Sequence, residues 1–99
     1  GKNQEGYNND DMNALRHCYW ACLSARMCGC ECSKRVDFKE VNDLRAAKSA
    51  DRRKVQLDSL CDLINNRIGR IFAEQYSDTD CLSGCKEFLV RGLLCLQKR

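Results

Sequence analysis

The cysteine content constrains this chain more than any other feature. It holds nine cysteines in 99 residues. At this density in a small chain, disulfides formed in an oxidising compartment are the leading explanation, ahead of metal binding. Because the count is odd, one thiol is left free, paired with another molecule or used in other chemistry. The chain is long enough for one domain with its own core, yet small enough to gain from covalent cross-links.

The spacing of apolar residues predicts helices and no strands. The chain has no proline and only six glycines, so little interrupts a long helix. Asp10 or Asp11 is expected to cap the first helix and Gly29 to end it. We predict an all-α, small disulfide-rich bundle of about four helices in a single domain, residues 1–99, with a flexible lead-in at residues 1–9. The expected helices run from about Met12 to Cys28, Val36 to Ser49, Arg53 to Tyr76, and Asp80 to Gln97.

The spacing of the cysteines indicates cross-links between helices. Two pairs, Cys18/Cys22 and Cys81/Cys85, are four residues apart, so each shows two sulfurs on one helix face. Bridges from the first helix to the third and fourth would close loops of about 40 to 65 residues and contribute about 4 kcal/mol each. The connectivity stays open. The disulfide candidates are Cys18, Cys22, Cys61, Cys81, Cys85 and Cys95.

Zinc binding is the alternative use of these sulfurs. The two spaced pairs, or the cluster Cys28, Cys30 and Cys32, could act as thiolate ligands. That cluster lacks the usual ligand loops of two to four residues and has no histidine nearby. We therefore predict no metal site and no cofactor.

The third predicted helix has a strongly two-sided pattern. Its apolar stripe is expected to face the core and comprises Leu57, Leu60, Cys61, Ile64, Ile68, Ile71 and Phe72. The opposite side carries Asp58, Asp62, Asn65, Asn66, Gly69 and Arg70. Asparagine and glycine are poor helix formers, and such local inconsistency tends to mark function or close packing. The polar row is either a binding surface or a solvated network, and Gly69 could serve only to let the first helix approach. In the fourth helix, Cys81, Leu82, Cys85, Leu89, Leu93 and Leu96 are expected to point inward.

His17 and Asp62 are the candidate catalytic pair. His17 is the only histidine. A carboxylate can fix the tautomer of a histidine and stabilise its protonated form, which makes the pair a general base for activating water. If Cys18 or Cys22 is bonded to Cys61, the imidazole and the carboxylate are brought close together. The alternative is that His17 packs against its neighbour Trp20 and that Asp62 is one more solvated charge.

Two segments carry a resemblance to a known family. Asn-Ala-Leu-Arg-His-Cys-Tyr-Trp at residues 13–20 and Asp-Leu-Ile-Asn-Asn-Arg-Ile-Gly-Arg at residues 62–70 resemble a helical module at the C-termini of bacterial polymorphic toxins, including Rhs-type proteins. Many members carry a His-Glu pair between the two halves, whereas residues 33–56 contain no histidine. The resemblance implies a secreted effector domain with a cognate immunity protein as its partner. We expect the domain to act in a target cell, in the periplasm rather than the cytoplasm. It does not settle the reaction.

A looser likeness is to secreted phospholipases A2. Those enzymes place a catalytic histidine in a cysteine-flanked helix, and its aspartate partner follows a cysteine, as Asp62 follows Cys61. This chain has no glycine-rich calcium loop, and Cys18 stands where that family needs its calcium-binding aspartate. The likeness is therefore one of arrangement, and calcium-dependent lipolysis is not expected.

Two functions follow as hypotheses. The first is an antibacterial hydrolase with His17 as base and Asp62 as its orienting partner, acting on phospholipid or nucleic acid. The net charge of +3 is modest for a dedicated nuclease. The second is a non-enzymatic, disulfide-stabilised toxin or binding module acting on a membrane surface or a receptor. In the hydrolase, Asn66, Arg70 or Arg16 would stabilise an anion. The expected binding residues are Arg16, Asn65, Asn66 and Arg70.

Overall fold

The fold is all-α and cross-linked by disulfides, as predicted. The computed structural model describes residues 9–37, 41, 42, 45 and 52–96. Within these ranges the chain forms α1 (Asn9–Cys28), α2 (Cys30–Ser33), a 3-10 turn (Lys34–Val36), α3 (Arg52–Gln75) and α4 (Cys81–Val90), and no strand. The helix expected from about Val36 to Ser49 lies largely outside the described residues. None of the described helices is long and apolar enough to cross a membrane.

Helix α1 lies at the centre and contacts α2, α3 and α4. It begins at Asn9, slightly earlier than expected, and carries Asp10 and Asp11 in its first turn, where negative charge favours the helix dipole. It ends where predicted, because Gly29 has a φ of 88° and donates its N–H to the Ala25 carbonyl at 2.8 Å. The buried face of α1 consists of Ala14, Leu15, Cys18, Ala21, Cys22 and Ala25.

Gly69 allows α3 to pack directly against the backbone of α1. A Cβ atom at this position would overlap the carbonyl oxygen of Cys18 and lie 3.1 Å from the Cβ of Ala21. Only glycine fits this contact without moving one of the helices. Of the roles considered for Gly69, close approach of the two helices is the one that the structure bears out.

The orientation predicted for α3 is wrong for most of its length. Cys61 and Phe72 are buried as expected, but Leu57, Leu60, Ile64 and Ile71 are each about half exposed. The polar side packs against α1 instead, and Asn65, Asn66 and Arg70 are 1%, 2% and 8% exposed. These groups are tolerated inside because each is hydrogen-bonded, and no buried side-chain N or O atom in the described ranges lacks a partner. Counting apolar residues could not reveal that other segments supply hydrogen-bond partners for the polar row.

Two disulfides join α1 to α4. Cys18 pairs with Cys85 and Cys22 with Cys81, with Cα atoms 5.9 and 5.8 Å apart. Because the pairing runs in opposite directions along the two helices, it forms an antiparallel ladder of two rungs. The expected link from α1 to α3 is wrong, since Cys61 pairs with Cys95 in the segment after α4.

Helix α4 ends several residues earlier than predicted. Gly92 has a φ of 74°, its N–H bonds to the Leu89 carbonyl, and the N–H of Leu93 bonds to the Phe88 carbonyl. This pair of hydrogen bonds is the Schellman motif that closes many helices. The predicted inward position of Leu93 is therefore wrong: its side chain is 56% exposed, while Leu94 is 6% exposed.

Candidate active site

His17 of α1 and Asp62 of α3 lie against each other in the α1–α3 seam. His17 Nε2 is 3.3 Å from Asp62 Oδ1, and the two side chains are 19% and 15% exposed. No disulfide spans this seam. Packing over Gly69 brings the two helices together, so the pair meets by a route different from the one expected. The alternative that His17 packs against Trp20 finds no support, because the Trp20 ring is 54% exposed and lies beside Arg16.

Asn13 provides a second hydrogen bond to the same carboxylate. Its Nδ2 donates to Asp62 Oδ1 at 3.1 Å. Asn13 precedes His17 by four residues on α1, so both side chains face α3. Sequence reasoning did not select Asn13 as a site residue, although its helical register with His17 was a usable signal.

Asn66 occupies the other side of the imidazole. Its Oδ1 is 3.0 Å from His17 Nδ1, and its Nδ2 donates to Asp37 Oδ1 at 3.0 Å. Because the amide nitrogen is committed to a carboxylate, the amide oxygen is the atom that faces the ring. Both ring nitrogens of His17 therefore face oxygen acceptors, and the arrangement is fully satisfied when both nitrogens donate.

Arg70 forms a two-pronged ion pair with Asp37. Its Nη1 lies 3.2 Å from Asp37 Oδ1 and its Nη2 lies 3.0 Å from Asp37 Oδ2. This fork geometry gives the strong form of an arginine–carboxylate interaction. Arg70 was predicted to bind an anion, and the structure supplies that anion from the chain itself. Asp37 was missed, since it follows the 3-10 turn and no periodicity or motif singles it out.

Two other predicted binding residues lie away from the imidazole. Asn65 donates to the backbone carbonyl of Cys95 at 2.9 Å and accepts from its N–H at 2.8 Å, which ties the chain after α4 to α3. Arg16 is exposed, with its guanidinium carbon 5.9 Å from the centroid of the Trp20 ring. Of the four predicted binding residues, only Asn66 touches the histidine directly, and Arg70 reaches it through Asp37.

The polar network runs from one cavity to another. At the end formed by Asn13 and Asp62, a cavity of about 300 Å³ is also lined by Asp10 and Asp58, and its described lining carries no cationic side chain. At the other end lies a larger cavity of about 590 Å³. Its described lining comprises Cys30, Glu31, Lys34, Asp37, Val41, Arg67, Arg70, Ile71 and Glu74. The second cavity is therefore the one with cationic side chains, and it lies on the Nδ1 side of His17, reached through Asn66 and Asp37.

The cysteine cluster after α1 is not a three-thiolate site. Cys28 and Cys32 form a disulfide, and Cys30 is the free thiol. Its S–H donates to Glu74 Oε1 at 2.8 Å. This hydrogen bond, together with partial burial, raises the pKa of the Cys30 thiol above its usual range. Among the described residues, no group of three or more histidine, cysteine, aspartate or glutamate side chains is placed to hold a metal ion.

Comparison with known proteins places the chain in a family. A family model described as a domain of unknown function (DUF6973) matches residues 1–93, which is nearly the whole sequence. Searches of curated proteins and of solved structures returned no match. The chain belongs to the DUF6973 family.

Proposed function

We propose that this domain is a secreted effector that hydrolyses its substrate with His17 as general base and Asp62 as the residue that orients it. The observation that carries the proposal is the 3.3 Å contact between His17 Nε2 and Asp62 Oδ1 in a partly exposed seam. A carboxylate on one ring nitrogen leaves the other nitrogen for proton transfer, which is the division of labour in many hydrolases.

The inverted packing of α3 also supports a functional role for the seam. A helix that buries asparagines and an arginine while half exposing Leu57, Leu60, Ile64 and Ile71 gives up apolar burial. Such departures from the best local choice concentrate at functional sites.

The proton transfer takes place at Nδ1. Asp62 accepts a hydrogen bond from Nε2–H and holds the ring, and Asn13 donates to the same carboxylate. In the neutral ring Nδ1 carries the lone pair, and the Asn66 oxygen 3.0 Å away must give way to the water from which Nδ1 takes a proton. The resulting hydroxide attacks the substrate, and His17 then returns the proton to the leaving group. General-base assistance of this kind contributes about 10²- to 10⁴-fold in rate.

We propose a phosphate ester as substrate. The cavity reached through Asn66 and Asp37 has a balanced described lining, with the cationic side chains Lys34, Arg67 and Arg70 and the acidic side chains Glu31, Asp37 and Glu74. The charged side chains described in the other cavity are all acidic. An anionic phosphodiester would therefore be repelled from the acidic cavity and not from the balanced one. Phospholipids and nucleic acids share this group, and both remain candidate substrates.

The setting of the proposed activity follows from the disulfides and the resemblance. The structure contains four disulfides, which indicates folding in an oxidising, extracellular-type compartment. The resemblance to Rhs-type effectors adds release into a target cell, with the periplasm as the favoured site of action, and a cognate immunity protein as partner.

The test is toxicity of the domain in a bacterium without an immunity gene. The wild type, His17→Ala and Asp62→Asn are produced in the periplasm and in the cytosol, with intact mass used to verify the disulfides. We expect killing by the wild type and loss of killing in both variants. Arg16→Ala is the matched control, because Arg16 neighbours His17 in sequence but is exposed and outside the network. Killing by His17→Ala at the wild-type level would end the catalytic proposal.

A non-enzymatic binding module is the second candidate. It is favoured by the half-exposed apolar side of α3, since amphipathic helices commonly bind membranes or partner proteins through such a face. In that case toxicity survives His17→Ala and is lost when Ile64 is replaced by aspartate. The two candidates therefore give opposite results with the same pair of variants.

A further inference from the structure

We infer that Asp37 is a positioning residue for His17. It does not touch the imidazole, and it acts through Asn66, whose amide it holds in one orientation. The inference rests on the proposed function only in giving His17 a catalytic role. The contacts, and the NMR measurement that tests them, concern the imidazole of His17 alone.

The chain of contacts is continuous. Asp37 Oδ1 accepts from Asn66 Nδ2 at 3.0 Å, and Asn66 Oδ1 lies 3.0 Å from His17 Nδ1. If the Asn66 amide were turned over, its oxygen would face the Asp37 carboxylate and its N–H group would face the ring. The Asp37 charge opposes that reversal, because two oxygen acceptors would then lie in contact.

Arg70 keeps Asp37 in place. The guanidinium contacts both oxygens of the Asp37 carboxylate, and the side chains of Arg70 and Asp37 are 10% and 20% exposed. Asn66 is 2% exposed, so it has no water on its own side with which to exchange partners. The two contacts with Arg70 fix the Asp37 carboxylate. The carboxylate in turn fixes the orientation of the Asn66 amide that faces the imidazole.

The consequence is that the oxygen of Asn66, and not its N–H group, faces Nδ1 of His17. That oxygen can only accept, so the contact is a hydrogen bond when Nδ1 carries a proton and two opposed lone pairs when it does not. Asp37 therefore acts on the nitrogen to which the proposed function assigns proton transfer.

Nitrogen-15 NMR of the imidazole tests this directly, because the chain has a single histidine and its ring signals need no assignment by comparison. The spectra are recorded at a pH low enough for both ring nitrogens to carry a proton in every variant. In the wild type we expect the Nδ1 proton to exchange slowly with water, because the Asn66 oxygen accepts from it. In Asp37→Ala we expect that proton to exchange faster, because the Asn66 amide is free to turn. Asn66→Ala should show the same loss of protection and serves as the reference for an unpartnered Nδ1.

Conservative replacement separates positioning from simple loss of structure. Asp37→Asn keeps the size of the side chain but removes the charge that opposes reversal of the Asn66 amide, so it should show the same loss of Nδ1 protection as Asp37→Ala. Because Asp37→Ala leaves Arg70 unpaired and can impair folding, the double variant Asp37→Ala with Arg70→Met removes the pair together and should show the same loss. Circular dichroism and intact mass establish that each variant is folded and fully bridged.

Two results would overturn the inference. One is a wild-type Nδ1 proton that exchanges with water as fast as in Asn66→Ala, which would mean that the Asn66 oxygen does not hold it. The other is an unchanged Nδ1 proton in the folded Asp37 variants while Asn66→Ala exposes it. Toxicity is not used in this experiment, so loss of the proposed hydrolase function would leave the result intact, and the reverse also holds.

Discussion

Replacing Gly69 by alanine tests whether close helix packing builds the site. The added methyl group would overlap the carbonyl oxygen of Cys18, and the neighbouring Ala21 Cβ would lie at 3.1 Å. The obstacle is backbone, and the backbone of α1 is held on both sides by the bridges at Cys18 and Cys22. Helix α3 must therefore move away from α1, which lengthens the contacts of His17.

The magnitude follows from two opposing terms. Overpacking against a fixed neighbour costs about 3 kcal/mol, and alanine recovers about 1 kcal/mol of helix propensity over glycine. The net loss of about 2 kcal/mol lowers Tm by about 8 to 16 °C for a domain of this size. Thermal unfolding followed by circular dichroism, with the disulfides intact, measures it.

Gly84→Ala is the matched control for this experiment. Its Cβ would meet the outer end of the buried Phe72 ring, in the contact between α3 and α4 rather than the one between α1 and α3. We expect Tm to fall here as well, but the His17 NMR signal to stay unchanged. A Gly69→Ala variant as stable as the wild type, with the same histidine signal, would refute the argument that this contact sets the seam.

Three further predictions use other contacts. Asn65→Ala leaves the N–H and carbonyl groups of Cys95 without their partners. Each lost hydrogen bond costs about 1 to 2 kcal/mol, so the free energy of unfolding should fall by about 2 to 4 kcal/mol, and an unchanged urea midpoint would contradict this. Glu74→Gln removes the carboxylate that raises the pKa of Cys30, so a larger fraction of the thiol is ionised at neutral pH. Alkylation by iodoacetamide should therefore be faster than in the wild type, and an equal or slower rate would contradict the role given to Glu74. Asp62→Asn should reduce substrate turnover about 10²- to 10⁴-fold, which is the size of a general-base contribution, and should change Tm little. Turnover within a few fold of the wild type would show that Asp62 does not orient the base.

The helix boundaries were largely predictable, because capping residues and glycines act locally. Gly29 ends α1 as expected, and Asp80 caps α4 by accepting from the Ser83 N–H at 3.0 Å. The early end of α4 was missed because the leucines after Gly92 continue a helical spacing although the backbone has turned. A spacing rule counts side chains and does not register a change of backbone conformation at one glycine.

The site was predicted in part, and for a partly wrong reason. The proximity of His17 and Asp62 was expected from a bridge to Cys61, but Cys61 pairs with Cys95 and the helices meet over Gly69 instead. The burial of the polar side of α3 could not be predicted from its composition, since it depends on partners supplied by other segments. Asp37 is the clearest example, because its role exists only once α3 and the segment after α2 are placed together.

The two disulfides between α1 and α4 restrict where the helices of this domain can separate. A single cross-link acts as a pivot, but two of them one helical turn apart leave α4 unable to swivel or slide along α1. No disulfide joins α1 directly to α3, and the Cys61–Cys95 bridge ties α3 only to the segment after α4. We therefore expect motion that admits water or substrate to the imidazole to open the contact between α1 and α3 rather than the one between α1 and α4.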